Sequence, residues 1–261
     1  MNNIVSNYNQ ILEFSRQYNI PEEKRRGVIR EYLQSKFITT LYALPKSEKL
    51  SFIGGTGLRL LRGMNRFSED LDFDNLGLTD GEIAILVEEA VRRFRVEGIN
   101  VDLHSNVKEY KKYYELRFSD LLKELGITSN PREKLMIKID YAKYWKGHKN
   151  EVMLFNKYGF IANVVTNPIN QLLVQKLAAY LQRKQTQPRD IYDIVWLFSQ
   201  GAKPDLTFIH ANNLDGLMGK VSEKFKEEGI PESFYNKLEP FLFSPDDTQK
   251  MKLFGKVISS L

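Results

Sequence analysis

The spacing of apolar residues changes twice along this 261-residue chain, and those changes constrain its fold more than any other feature. From about residue 8 to 44, and again beyond Pro168, apolar residues recur at intervals of three and four, the period of an amphipathic helix. Between about residues 50 and 165 they alternate with polar residues in short runs, which predicts strands. The sequence therefore predicts an α/β centre with helical flanks. We divide it into an N-terminal helical segment packed on the core, the core, and a C-terminal helical domain, at 1–45, 46–166 and 167–261.

Composition excludes several classes of protein. The absence of cysteine excludes disulfides, thiolate metal sites and a cysteine nucleophile. No apolar run approaches the roughly 18 residues that cross a membrane, and the first residues lack the features of a secretion signal. We therefore expect a cytoplasmic protein with no membrane partner. The formal net charge of +5 favours polyanionic partners.

A glycine pair, Gly54-Gly55, lies between an apolar strand predicted at Leu50 to Ile53 and a short helical stretch. Glycine lets the backbone approach a ligand closely, and the first N–H groups of a helix bind phosphate oxygens. An ordinary glycine turn is the alternative, because the pair fits neither the dinucleotide fingerprint nor the P-loop. By itself the pair only suggests a phosphate site.

Acidic and apolar residues alternate at positions 70 to 74, Asp-Leu-Asp-Phe-Asp. A strand there would direct Asp70, Asp72 and Asp74 to one surface. Oxygen ligands on one surface suit Mg²⁺ bound beside a nucleotide triphosphate. The alternative is the solvated face of an edge strand.

Asp140 lies on a later predicted strand in which Leu135, Ile137 and Ile139 point to the opposite face. It would therefore join the acidic surface, where three carboxylates could hold two metal ions for an in-line displacement. As a single residue at a strand end, Asp140 could equally be a turn residue.

Lys176 falls near the centre of the apolar stripe of the helix predicted from about 168 to 184. Either its stem snorkels out of the core or its ammonium reaches an anion such as a triphosphate. Pro188 begins the next predicted helix, in which Asp190 and Asp193 share a face. We favour Asp190 as a functional acid because we expect it at an exposed helix start, although acids there also stabilise the helix dipole.

Two stretches, 108–114 and 141–149, mix basic and aromatic residues as nucleic-acid surfaces do, although exposed hairpins have the same composition. The candidate contacts are Lys111, Lys112, Lys143, Lys146 and Lys149.

Five blocks, taken in order, resemble the AbiEii/AbiGii nucleotidyltransferase toxin family of the DNA polymerase β superfamily. The blocks are Phe52 to Arg59, Arg66 to Asp74, Lys138 to Asp140, Lys176-Leu-Ala-Ala, and Arg189 to Asp193. They span about residues 50 to 200.

This resemblance implies a polymerase β-like α/β (α+β) fold with a mixed sheet, N-terminal helices and a C-terminal helical region. It implies an enzyme that moves a nucleoside monophosphate from an NTP to an acceptor hydroxyl and releases pyrophosphate, with Mg²⁺ or Mn²⁺. The acceptor it suggests is RNA, at the 3′ end of tRNA. The enzyme would be the toxin of a type IV toxin–antitoxin or abortive infection system, with an antitoxin encoded nearby that need not bind it stably.

The resemblance also assigns site residues. It implies metal binding by Asp70, Asp72 and Asp140, a further essential acid at Asp190, and nucleotide binding by Gly54, Gly55, Thr56, Arg59 and Lys176. Many superfamily members carry serine where Gly55 stands, so Thr56 would have to supply a hydroxyl at the phosphate. Asp72 with Asp74 is an alternative metal pair to Asp70 with Asp72.

Two rival functions remain at this stage. A nucleotidyltransferase that modifies a small molecule, such as an antibiotic, would label that molecule in place of RNA. A non-catalytic nucleotide- or RNA-binding module would bind without forming product.

Overall fold

The computed structural model describes residues 3–108 and 111–261, and of residues 107, 108 and 111 it describes the backbone alone. The chain forms two compact units. The first comprises Met1–Gly63, Phe67–Tyr144 and Val152–Thr166, and the second Met64–Arg66, Trp145–Glu151 and Asn167–Leu261.

The first unit is built on a five-stranded sheet in the order β1-β2-β5-β4-β3. Its strands are β1 (Leu50–Ile53), β2 (Leu71–Asn75), β3 (Asp102–Lys108), β4 (Lys111–Phe118) and β5 (Leu135–Ala142). Strands β2 and β5 are parallel, whereas the other neighbouring pairs are antiparallel. The predicted mixed sheet is therefore confirmed.

Helices and a separate hairpin complete this unit. The helices are α1 (Asn3–Ser6), α2 (Tyr8–Gln17), α3 (Arg25–Tyr42), α4 (Gly54–Arg62), α5 (Asp80–Val96) and α6 (Leu121–Glu124). A 3₁₀ turn, Ser47–Lys49, precedes β1. Strands β6 (Glu151–Lys157) and β7 (Phe160–Thr166) form the hairpin predicted from their alternation.

The two faces of the five-stranded sheet differ in polarity, as the alternation predicts. On β5, Leu135, Ile137 and Ile139 are buried, whereas the intervening side chains are partly or fully exposed. Aromatic rings cover the apolar face: Phe118 contacts Phe94 of α5, which contacts Phe37 of α3. Fully burying one such ring contributes roughly 1.5–3 kcal/mol. The opposite face carries the polar side chains of the sheet, among them Asp72 and Asp140.

Helix α5 shows how local sequence sets an element's limits. The spacing of Thr79-Asp80-Gly81-Glu82 predicts a capping box, and the structure has one: Thr79 accepts a hydrogen bond from the N–H of Glu82, whose carboxylate accepts one from the N–H of Thr79. At the other end, Gly98 has φ +78°, and the N–H groups of Gly98 and Ile99 donate to the carbonyls of Arg95 and Phe94. This is a Schellman motif.

That motif explains an error in one predicted strand. The alternation of Ile99, Val101 and Leu103 predicts a strand that begins near Ile99, but β3 begins at Asp102. Ile99 is buried because it supplies the apolar contact that follows a Schellman turn. Its apparent alternation with Val101 therefore belongs to a helix end and not to a strand.

The second unit is helical, as the C-terminal pattern predicts. Its helices are α7 (Ile169–Gln182), α8 (Pro188–Ser199), α9 (Leu206–Ala211), α10 (Leu217–Glu228), α11 (Ser233–Leu238) and α12 (Phe254–Ser260), with 3₁₀ segments at Glu239–Phe241 and Pro245–Leu253. Phe254 contacts Tyr180 of α7 and Phe225 of α10, so three helices share an aromatic core. The helix-start signal Ser244-Pro245-Asp246 predicts one helix from 246 to 259, but the structure has a 3₁₀ segment there followed by α12.

None of the helices in residues 3–108 and 111–261 is long and apolar enough to cross a membrane.

Candidate active site

Gly54 is pressed against the acidic strand. It follows β1, begins α4 and has φ +72°, a conformation that L side chains rarely adopt. A Cβ atom at this position would lie 2.1 Å from Oδ2 of Asp72 and 2.9 Å from its Cβ. Only glycine lets the backbone and the carboxylate approach this closely.

Asp72 and Asp140 are neighbours across two parallel strands. The register of β2 and β5 pairs Asp72 with Asp140, and Leu71 with Ile139. Paired residues of adjacent strands lie on the same face, with the strands about 4.8 Å apart. Leu71 and Ile139 are buried, and the two aspartates are partly exposed on the polar face. The sheet therefore brings together two carboxylates from distant parts of the chain.

Asp70 and Asp74 occupy different surroundings. Asp70 precedes β2, and its backbone carbonyl accepts a hydrogen bond from the hydroxyl of Thr56. Asp74 is 3% exposed and lies level with Ser51 and Ala142, farther along the strand from Gly54. The greater burial of Asp74 favours Asp70 with Asp72 over Asp72 with Asp74 as the metal pair.

Lys138 holds the carboxylate of Asp140. The two side chains form an ion pair within β5, and the lysine Nζ also lies 4.8 Å from the centroid of the Tyr113 ring. Within residues 3–108 and 111–261, no three acidic or histidine side chains are grouped so that they could hold a metal ion. The predicted set of Asp70, Asp72 and Asp140 is therefore not formed as one cluster. The part that the backbone brings together is the pair Asp72 and Asp140.

That pair still suits a magnesium ion. Mg²⁺ is usually held by one or two protein carboxylates, with phosphate oxygens and water completing its coordination. Asp72 and Asp140 supply oxygen donors on one partly exposed face, and Gly54 leaves the space over Asp72 clear of a side chain. The donors fit the ion that the fold implies.

Thr56 and Arg59 are committed to contacts inside the fold. Thr56 is 1% exposed, and its hydroxyl holds the carbonyl of Asp70. The guanidinium of Arg59 forms a bidentate ion pair with Glu31, at 2.8 and 3.0 Å, and both side chains are buried. The Tyr158 hydroxyl donates to the same carboxylate at 3.2 Å. These positions favour structural roles over the predicted contacts with nucleotide.

In the second unit, Lys176 belongs to a buried charge network. Its Nζ lies 2.8 Å from Oδ2 of Asp193 and 3.9 Å from Oδ1 of Asp190, and its side chain is 16% exposed. Arg66 completes the network through two 2.7 Å bonds to the Asp193 carboxylate. The lysine is therefore held by acids at the edge of solvent, and its stem does not simply snorkel past apolar neighbours.

Asp193 remains charged despite its burial. Burial by itself raises the pKa of this carboxyl, but Arg66 and Lys176 lower it by more, so the pKa lies below its ordinary value. Because a buried carboxylate with two cationic partners is costly to leave unpaired, the three side chains are mutually dependent.

The prediction that Asp190 stands at an exposed helix start is wrong. It lies in the first turn of α8, but it is 3% exposed, and its Oδ2 is 2.7 Å from Nε of Arg183. The helix start itself is covered, which periodicity alone did not reveal. Arg66 was not among the predicted functional residues. The one sequence signal for Arg66 is that it begins the family block from Arg66 to Asp74.

The predicted nucleic-acid contacts are partly engaged within the protein. Lys112 pairs with Asp80, and Lys149 pairs with Asp205, each at 2.9 Å. Lys143 and Lys146 are exposed, whereas the side chain of Lys111 and residues 109–110 lie outside the described residues. The nucleic-acid role of these lysines stays a prediction.

Two solved structures share the fold of this chain. MenT4, a nucleotidyltransferase toxin from Mycobacterium tuberculosis, matches with a TM-score of 0.62 at 18% identity, over 96% of this chain and 90% of that one. JHP933 from Helicobacter pylori matches with a TM-score of 0.51 at 20% identity, over 90% and 92% of the two chains. At such identities the likeness shows a shared fold. A search of curated protein sequences finds no match.

The family model for the nucleotidyl transferase AbiEii toxin of type IV toxin–antitoxin systems matches residues 36–254, so the chain belongs to this family. It is a nucleotidyltransferase and a toxin of that type. Membership implies a cognate antitoxin. The resemblance and the fold class predicted from the sequence are both confirmed.

Proposed function

We propose that the protein transfers a nucleoside monophosphate from an NTP to a hydroxyl at the 3′ end of RNA, with tRNA as the acceptor. The bond that forms joins the acceptor oxygen to the α-phosphorus, and the bond that breaks joins that phosphorus to the bridging oxygen of pyrophosphate. Blocking tRNA ends would stop translation, which accounts for a toxin. The reaction would take place in the cytoplasm, where both substrates occur.

The observation that carries this proposal is the contact of Gly54 with Asp72 beside Asp140. Gly54 and Gly55 begin α4, so their N–H groups belong to the unpaired set at a helix start, which favours phosphate oxygens. The same backbone lies against Asp72, which is paired with Asp140 across the sheet. A triphosphate bound at Gly54 would therefore present its phosphorus atoms to Asp72 and Asp140.

The acidic pair requires a cation when a triphosphate is present, because the carboxylates and the phosphates repel one another. Asp72 and Asp140 would hold Mg²⁺ or Mn²⁺, and the family resemblance adds Asp70, two residues before Asp72. When bound, the ion would neutralise charge on the transferred phosphoryl group and on the leaving pyrophosphate. For this to happen, Lys138 would have to release the carboxylate of Asp140 that it holds.

Two further residues are assigned by family resemblance. We propose that Lys176 binds the nucleotide phosphates and that Asp190 is a second essential acid. The structure supports a positioning role for the acids, since Asp193 contacts the lysine ammonium directly and Asp190 lies 3.9 Å from it. Held in this way, the ammonium loses less conformational entropy when it binds an anion.

The test is a labelling experiment. The full chain is incubated with each α-labelled NTP, total tRNA and Mg²⁺, beside the Asp72→Ala variant and an Asp246→Ala variant at an exposed position. We expect label in tRNA with the unaltered protein and with Asp246→Ala, and none with Asp72→Ala or with chelator.

Two results would contradict the proposal. Label appearing in an aminoglycoside in place of RNA would establish the small-molecule alternative. Full labelling by Asp72→Ala would remove the acidic strand from the reaction. The antitoxin is expected to act without a stable complex, so co-purification of the two proteins would contradict that part of the proposal alone.

A further inference from the structure

A polar hollow opens on β3, an edge strand of the five-stranded sheet, and on its neighbour β4. Its volume is about 300 Å³, at the lower end for pockets that hold small molecules. It is lined by His104, Ser105, Asn106, Tyr113, Glu115 and Arg117. Of these residues, Tyr113 lies in the stretch 108–114 whose composition suggests a nucleic-acid surface, and the other five are not among the predicted site residues.

Strand order places this hollow beside Asp140. One line of paired residues crosses the sheet, and it runs from Ile53 through Asp72, Asp140 and Tyr113 to Asn106. Gly54 follows Ile53 directly, so the glycine turn and the hollow lie on opposite sides of the two carboxylates. If the triphosphate binds at the glycine turn, the attacking group must approach from the side of the hollow, because displacement at phosphorus is in line.

The side chains of the hollow are arranged in fixed positions. The Asn106 amide donates a hydrogen bond to the Tyr113 hydroxyl at 3.0 Å. Lys138 lies over the tyrosine ring and also contacts Asp140. These contacts hold the ring of Tyr113, whose strand partner is Asp140, and the ammonium of Lys138 next to the acidic pair.

Arg117, which also lines the hollow, is a second cation held in a defined orientation. Arg117 forms two bonds to Oε2 of Glu115, at 3.0 and 2.5 Å, and its other nitrogen lies 3.4 Å from His104. A fixed guanidinium, a lysine and a tyrosine provide the chemistry that binds unpaired nucleotides, in which a base stacks on a ring and a phosphate meets a cation.

We propose that this hollow binds the 3′-terminal nucleotide of a single-stranded RNA acceptor. Tyr113 stacks on the terminal base, Asn106 positions Tyr113, and Lys138 contacts the adjoining phosphate once its carboxylate partner is engaged elsewhere. The terminal hydroxyl is thereby directed toward Asp140. This inference rests on the proposed function, which it deepens by assigning the acceptor side of the site.

The test separates binding from transfer. Fluorescence anisotropy of a 5′-fluorescein single-stranded RNA hexamer measures binding without NTP, and steady-state labelling measures the KM for tRNA and for NTP. In Tyr113→Ala we expect RNA binding to weaken about tenfold or more, because stacking on a ring contributes that much per base. The KM for tRNA should rise to match, and the KM for NTP should stay within about twofold.

Matched variants control for folding. Tyr113→Phe keeps the ring and should retain most of the binding. Lys138→Met should weaken binding and reduce its salt dependence, whereas Lys123→Met, at an exposed position of the same unit, should change neither. Circular dichroism spectra establish that the variants are folded.

The outcomes are distinguishable from failure of the proposed function. Unchanged RNA binding and KM in Tyr113→Ala would overturn the assignment of the hollow, even with full activity. A rise in the KM for NTP alone would also overturn it, because the hollow would then hold the donor base. If no acceptor is labelled, the proposed function fails, while weaker hexamer binding by Tyr113→Ala would still support an RNA site.

Discussion

Replacing Gly54 by alanine should inactivate the protein by moving Asp72. The new Cβ would lie 2.1 Å from Oδ2 of Asp72, so this oxygen must move about 1.3 Å to reach an ordinary contact of 3.4 Å. Rotation of the side chain relieves that clash but not the one with the Cβ of Asp72, 2.9 Å away, so the backbone must shift as well. A misplacement of about 1 Å at a catalytic group costs roughly 10²-fold in rate.

Gly63 provides a matched control at the other end of α4. Its φ is +79°, close to that of Gly54, yet a Cβ there would meet nothing within 4 Å. Both alanine variants should lose about 1–2 kcal/mol of unfolding free energy to the left-handed conformation, and Gly54→Ala should lose more because of its clash with Asp72.

Only Gly54→Ala should also lose transfer activity, by about 100-fold. Urea unfolding followed by circular dichroism measures the first effect, and labelling of tRNA measures the second. The reasoning is refuted if Gly54→Ala keeps activity within about fivefold of Gly63→Ala, or if both variants are equally inactive.

Other substitutions test the remaining parts of the site. Asp72→Ala should abolish labelling with little change in unfolding free energy, whereas Asp74→Ala, at a buried position, should be destabilised by about 1–3 kcal/mol. Loss of labelling in Asp74→Ala but not in Asp72→Ala would make Asp74 the ligand. Asp193→Ala should lower the unfolding free energy by roughly 3–5 kcal/mol, because Arg66 is left buried without its carboxylate; a loss below about 1 kcal/mol would contradict this. The pKa of Asp193 is lower in the folded chain than its unfolded value of about 4, so its contribution is complete above about pH 4 and is lost as pH falls further. As the pH is lowered from 6 to 4 and 3, the urea midpoint should therefore fall more steeply in the unaltered protein than in the double variant Arg66→Met/Asp193→Leu. Parallel profiles would refute this contribution of Asp193. Arg59→Ala should lower the unfolding free energy about as much as Asp193→Ala does, without a change in the KM for NTP. A raised KM for NTP in the folded variant would instead support the predicted contact between Arg59 and the nucleotide.

Much of the sheet could be predicted because strand alternation is a local property. The spacing of Leu135, Ile137 and Ile139 shows which face of β5 is buried, and so which face carries Asp140. The same pattern placed Asp72 on a polar face. Alternation does not predict which strands pair with each other in the sheet. The parallel register that joins Asp72 to Asp140 depends on packing across the whole unit.

Side-chain partners were the least predictable part of the site. Arg66 and Asp193 are 127 positions apart, and nothing in either local sequence marks them as a pair. The ion pair between Lys138 and Asp140 lies within one strand, yet alternation reports only that the two share a face. Asp190 was placed on the surface because helix starts are usually exposed, and only tertiary packing shows that it is covered.

If Asp72 and Asp140 act together as proposed, the parallel pairing of β2 with β5 leaves the acidic pair incomplete until synthesis of the chain is well advanced. Asp72 and Asp140 are separated by 68 positions in the chain, and the intervening segment contains α5 and the hairpin of β3 and β4. Contacts between such distant segments form late, because the loop between them must first be ordered. A nascent or truncated chain that ends before β5 carries the glycine turn and the first acids but has no second carboxylate to complete the pair. On the proposed function, premature release from the ribosome would thus yield an inert fragment.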